Sequence, residues 1–127
     1  MKQNLILDKS FAFAVMTVNL YKHLLTEKKE YVLSKQLLRS GTSIGANVKE
    51  AVVAQSKREF IAKLNISLNE ANESEYWLEL LHQTGFIGEN SDILNECRSI
   101  IRILTSIIKS SNNNMPTKKS YIVNCKL

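Results

Sequence analysis

Glu79 and His82 stand three residues apart in Glu79-Leu80-Leu81-His82, a spacing that puts a carboxylate and an imidazole on one face of a helix. In a helical bundle such a pair can give two ligands to a metal. A di-iron site needs two of these motifs, plus a glutamate from each of two further helices. The other histidine, His23, has Leu20 three residues before it, so the second motif is missing. No metal and no cofactor are expected. Nucleophilic catalysis has no better support. Serine, histidine and cysteine are present, but no spacing groups a nucleophile with a base and an orienting residue. Ser40-Gly41-Thr42-Ser43-Ile44-Gly45 carries two glycines without the lysine or the preceding strand of a phosphate-binding loop. The chain is therefore expected not to be an enzyme, and no small-molecule substrate is inferred.

The elements that would position any site are helices. Leu37, Gly41, Ile44, Val48 and Ala51 fall on one helix face, and Leu38, Gly41, Gly45, Val48 and Val52 on an adjoining one. A glycine inside a helix costs about 1 kcal/mol relative to alanine, so these two glycines point to close approach by another helix. A second small lane, Ser67, Ala71 and Ser74 between Leu64, Leu78 and Leu81, suits such a partner. The periodicity predicts four helices, over about residues 10–27, 30–55, 57–84 and 91–111. Asp8 or Ser10 is positioned to cap the first. Ser56 caps the third, with Glu59 at the capping-box spacing, and Gly85 is its C′ residue. Ile93, Cys97, Ile100, Leu104 and Ile107 form the inner stripe of the fourth. Short connections predict an all-α, antiparallel up-down-up-down four-helix bundle over residues 1–111. Residues 112–127 are expected to form a polar, basic, mobile tail.

The first helix is more apolar than a bundle needs. Phe11, Ala14, Val15, Val18 and Leu25 are expected to face the core. Phe13, Met16, Leu20 and Leu24 form a second stripe, expected to contact another subunit, with Trp77 and Tyr76 as core fillers or interface anchors. No run of apolar residues is long enough to span a membrane, and no signal peptide is legible. Two cysteines make no disulfide framework; Cys97 reads as a small buried hydrophobe, and a cytoplasmic location is expected.

The net charge of +5 hides a sharp division. Residues 64–96 hold seven acidic side chains and no basic one, while the segments on both sides are each strongly basic. That end of the bundle is expected to be negative. Lys57, Arg58 and Lys63 cluster at the start of the third helix, Arg98, Arg102 and Lys109 run along the fourth, and Lys118 and Lys119 lie in the tail. Such a surface attracts nucleic acid by counterion release, without sequence readout. The competing reading is a solvated face with ion pairs, Arg39 or Arg102 against Glu73 or Glu75. Asn47 and Glu50, one turn apart, are expected to satisfy buried polar groups or pair with Arg39.

The chain resembles the four-helix-bundle proteins encoded within intervening sequences of bacterial 23S ribosomal RNA genes. The resemblance rests on Gln36, Leu37 and Arg39; on Ser43, Ile44, Asn47 and Glu50; on Glu59 and Phe60; on the acidic pair Glu73 and Glu75; and on the Gly85-Phe86-Ile87 turn. It covers about residues 10–110. Gly45 stands where the family often has proline, and Ala51 where it often has glycine. The resemblance implies a homopentameric ring. It also implies a relation to accessory proteins of diversity-generating retroelements, which bind a reverse transcriptase and nucleic acid. It implies no enzyme activity. The expectation is a homo-oligomer associated with RNA or a ribonucleoprotein. The alternative is a protein-binding adaptor or scaffold with no nucleic-acid role.

Overall fold

The computed structural model describes residues 2–89 and 91–113, which form four α-helices and no strand. They are α1 (Lys2–Thr26), α2 (Leu33–Val52), α3 (Lys57–Gln83) and α4 (Asp92–Asn113). Each helix packs on the next and α4 closes the circuit on α1, while the diagonal pairs barely meet. Among the described residues no helix is long and apolar enough to cross a membrane.

The small lanes meet as the spacing predicts. Ser74 Oγ donates to Ser40 Oγ at 2.8 Å and Ser67 Oγ donates to the Ile44 carbonyl at 2.9 Å. Position numbers fall along α3 as they rise along α2, so these two helices run in opposite directions. The face Leu37, Gly41, Ile44, Val48 and Ala51 is buried, and so is the lane Leu64, Ser67, Ala71, Ser74, Leu78 and Leu81. Gly41 lies against Thr17 of α1: a Cβ there would stand 2.8 Å from both Thr17 Oγ1 and Cγ2. Gly45 lies against Ser10, where a Cβ would stand 3.3 Å from the Ser10 carbonyl oxygen. The stripe expected of α4 is buried throughout.

α1 departs from expectation in two ways. It begins at Lys2, so Asp8 and Ser10 lie inside the helix and cap nothing; burial of Ile6 draws the first turns onto the bundle. Its stripes are also exchanged. The core lane is Ile6, Ser10, Phe13, Thr17 and Leu24, whereas Phe11 is 70% and Val15 46% exposed. Phe13 and Leu24 are at most 1% exposed within the single chain and offer no surface to a second subunit. Met16, Leu20 and Trp77 are half-buried against the core. The apolar pattern missed this because Ser10 and Thr17, facing the α2 glycines, are polar by type. In the helix they are satisfied by donating to the Leu7 and Phe13 carbonyls.

The helix ends are chemically specified. Glu59 N–H donates to Ser56 Oγ at 3.1 Å, and the Glu59 carboxylate reaches back to the Gln55 N–H at 2.9 Å, a capping box displaced by one residue. After α3, Phe86 N–H donates to the Leu81 carbonyl and Gly85 N–H to that of His82. Gly85 sits at φ 86°, the left-handed C′ geometry that glycine adopts freely. α2 starts at Leu33, later than the pattern suggests, because Glu30 does not join the helix but caps it from outside. α4 runs to Asn113, with Asn112 buried, so the bundle passes the expected boundary at residue 111. Lys118 and Lys119, with the other residues of 114–127, lie outside the described residues.

Candidate functional site

Ion pairs across the bundle sort the basic residues into two groups. α2 presents Arg39 to α3, where its guanidinium donates to Glu70 at 3.3 Å and to Glu73; the Trp77 indole N–H donates to the same Glu73 carboxylate at 3.1 Å. The Arg39 guanidinium and then the indole hold the Glu73 carboxyl below its ordinary range. α4 presents Arg98 to the next stretch of α3, donating to Glu75 at 2.9 Å and Glu79 at 2.7 Å. Lys63 pairs with Glu50 at 2.7 Å and Lys9 with Glu96 at 3.0 Å. Hydrogen bonding to these carboxylates raises the pKa of Arg39, Lys63 and Arg98. Three cations from α1, α2 and α4 thus engage five of the seven carboxylates of the acidic stretch and offset part of its negative charge.

This corrects several sequence expectations. Arg39 takes Glu73 as anticipated, but Glu75 goes to Arg98, not to Arg102 or Arg39. Glu50 takes Lys63, and Asn47 Nδ2 donates to the Ser43 carbonyl at 2.8 Å, so neither meets Arg39. Ser43 in turn donates to the Arg39 carbonyl at 2.7 Å. Of the candidate phosphate-binding cations, Arg98 and Lys63 are engaged in ion pairs. Lys57, Arg58, Arg102 and Lys109 are exposed and have no ion-pair partner among the described residues.

The residues whose types could do chemistry are engaged elsewhere. Glu79 of the E-x-x-H motif is taken by Arg98, and among the described residues no three His, Cys, Asp or Glu side chains are grouped to hold a metal. Cys97 is fully buried, its thiol donates to the Ala71 carbonyl, and burial pushes its pKa up to about 12, far from a reactive thiolate. A groove of about 500 Å³ between α1 and α2 is lined mainly by apolar and small side chains, among them Leu7, Phe11, Ala12 and Ala46, with Asp8 and Lys49 as its charged members.

What the surface does offer is exposed apolar area. Leu5, Phe11 and Val15 stand out on α1, Ile66 and Tyr76 on α3. Tyr76 meets Trp77 edge-on with ring centroids 5.0 Å apart. The sequence pattern alone missed the α1 face, because either of its two apolar stripes could serve as the core.

A family model described as 23S rRNA-intervening sequence protein matches residues 2–106. Among solved structures, the chain is similar to a protein of unknown function from the S23 ribosomal protein family of Bacteroides thetaiotaomicron VPI-5482. Identity is 58% over 86% of this chain and 99% of that one, with a TM-score of 0.84. No curated protein matches.

Proposed function

This chain belongs to the 23S rRNA-intervening sequence protein family, and from that premise we propose that it is a non-enzymatic oligomer that associates with RNA or a ribonucleoprotein through basic surfaces. The observation that carries the reading is the division of its cations. Four arginines and lysines are engaged by acidic residues of neighbouring helices, whereas Lys57, Arg58, Arg102 and Lys109 are exposed and have no carboxylate partner among the described residues. Unpaired cations are the ones able to displace counterions from a phosphate backbone. Such contacts position a nucleic acid without reading its bases.

Oligomerisation is part of the same proposal. In an up-down-up-down bundle whose helices form a circuit, α1 and α3 occupy opposite corners, and both carry exposed apolar side chains. A contact from the α1 corner of one copy to the α3 corner of the next is heterologous and closes into a ring. The family resemblance implies five copies in that ring. Repetition around it turns a modest basic patch into a strong one by avidity. A cytoplasmic location belongs to this reading.

The experiment is a comparison of RNA affinity for the wild type and Arg102→Glu with Lys109→Glu. Loss of two phosphate contacts should weaken binding and flatten the salt dependence by about two in log–log slope. Unchanged affinity and slope would sink this surface. A second reading, a protein-binding adaptor, is favoured by the Arg39, Tyr76 and Trp77 group, residue types that dominate protein–protein hot spots. Glu73→Lys with Glu79→Lys would disturb such a partner, and, because it removes carboxylates and adds cations, would not weaken RNA binding.

A further inference from the structure

The connection between α1 and α2 brings together an aromatic ring, a branched aliphatic chain and a set of cations that the ion-pair network leaves alone. Tyr31 is 56% and Val32 69% exposed. Lys28 and Lys29 precede them and Lys35 follows one turn into α2; all three are exposed and without an ion-pair partner among the described residues. We propose that this turn is a binding site for single-stranded RNA, with Tyr31 stacking on a base and Lys28, Lys29 and Lys35 holding the flanking phosphates. The proposal rests on the RNA-binding reading above and assigns it a place outside the α3 and α4 cations.

Two features set this turn apart from an ordinary solvated loop. Its backbone is fixed. Glu30 N–H donates to the Leu24 carbonyl at 2.9 Å, closing the end of α1, and Lys29 adopts φ 56°, a left-handed conformation uncommon for a side chain of its kind. Its central carboxylate is also withdrawn. Glu30 accepts from the N–H groups of Val32, Leu33 and Ser34 at 3.2, 3.0 and 2.7 Å, while Ser34 Oγ donates to the Glu30 carbonyl at 2.9 Å. This carboxylate occupies the N-terminus of α2 and is itself the anion there. An incoming phosphate has no free helix-end N–H groups to use, so it must be held by the lysine side chains. Glu27, on the α1 side, is the other acidic residue close by in sequence; Lys22 sits further back on the same helix.

An exposed aromatic beside several cations is the combination that binds single strands with little sequence preference: the ring stacks on any base and the cations follow the backbone. A duplex keeps its bases stacked inside and cannot use the ring. The site should therefore distinguish single from double strands, which phosphate attraction alone does not do.

The test uses the full-length protein and two labelled probes, a short single-stranded oligoadenylate and a short RNA duplex, read by fluorescence anisotropy at one salt concentration. Tyr31→Ala should bind the single strand about tenfold more weakly and the duplex as the wild type does. Tyr31→Phe should retain single-strand binding, and Lys28→Glu with Lys35→Glu should weaken both probes. Helix content by circular dichroism confirms that each variant is folded. Tyr31→Ala with unchanged single-strand affinity, or with both probes weakened equally, overturns the site. If that happens while Arg102→Glu with Lys109→Glu abolishes binding, the broader RNA reading stands without this turn. Wild-type protein that binds neither probe overturns both.

Discussion

At the residue scale, Gly41 packs directly against Thr17 of α1, and the sign of its mutation can be worked out. Alanine at position 41 gains about 1 kcal/mol of helix propensity. Its Cβ, however, would stand 2.8 Å from two Thr17 side-chain atoms, and Thr17 is fully buried, so the threonine or a helix has to move. Overpacking of this kind costs about 1–3 kcal/mol, so Gly41→Ala should lower the urea midpoint. Adding Thr17→Ala should restore part of the loss, a coupling that a double-mutant cycle reads directly. Glu30 gives a prediction in pH. Burial alone would push its carboxyl up, but the N–H groups of Leu33, Ser34 and Val32 and the Ser34 hydroxyl more than reverse this and lower its pKa. A depressed folded-state value means the stabilisation is complete above the ordinary carboxylate range and is lost as pH falls through the folded value. Glu30→Gln should therefore destabilise by about 1 kcal/mol at neutral pH. The difference from wild type should shrink as pH falls through the lowered folded-state value and Glu30 becomes protonated; a gap independent of pH would assign the loss to shape and not to charge.

At the scale of the helix, Phe11 and Phe13 separate what the sequence discloses from what it conceals. Phe13→Ala should cost about 3–5 kcal/mol, because it empties a core position, whereas Phe11→Ala should stay within about 0.5 kcal/mol of wild type in the isolated fold. Denaturant midpoints of the two variants check this, and equal losses would contradict the placement of α1. The buried faces of α2, α3 and α4 were legible because each has one lane of small and apolar residues at helical spacing. The Ser56 cap and the Gly85 stop were legible because each depends on local backbone chemistry. α1 was not, since it is apolar on two sides and its true core lane contains Ser10 and Thr17, whose suitability shows only once Gly45 and Gly41 lie opposite. The charge map was half legible. The sequence shows which segments are acidic and basic, but the relative register of the helices decides that Arg98, not Arg102, reaches Glu75. Arg98→Met should accordingly cost little stability, as the loss of an exposed pair does. RNA affinity should barely change, while Arg102→Glu should lower it.

At the scale of the whole molecule, the surface is built from three kinds of region. Ion-paired zones clasp α2, α3 and α4; apolar corners stand on α1 and α3; unpaired cations lie on α3, α4 and the α1–α2 turn. Phe11→Glu should reduce the mass in solution and leave the helical spectrum unchanged, since the side chain is 70% exposed within one chain. An unchanged mass would remove the α1 corner from the assembly. The measurement that bears most directly on the account is RNA affinity at several salt concentrations, made on protein whose mass is determined by light scattering on the same sample. The account predicts a species several times the 14.4 kDa chain that binds RNA at micromolar concentration or tighter, with affinity falling steeply as salt rises. An assembly of that size with no affinity for RNA even at low salt would contradict it and leave a scaffold whose partners are proteins.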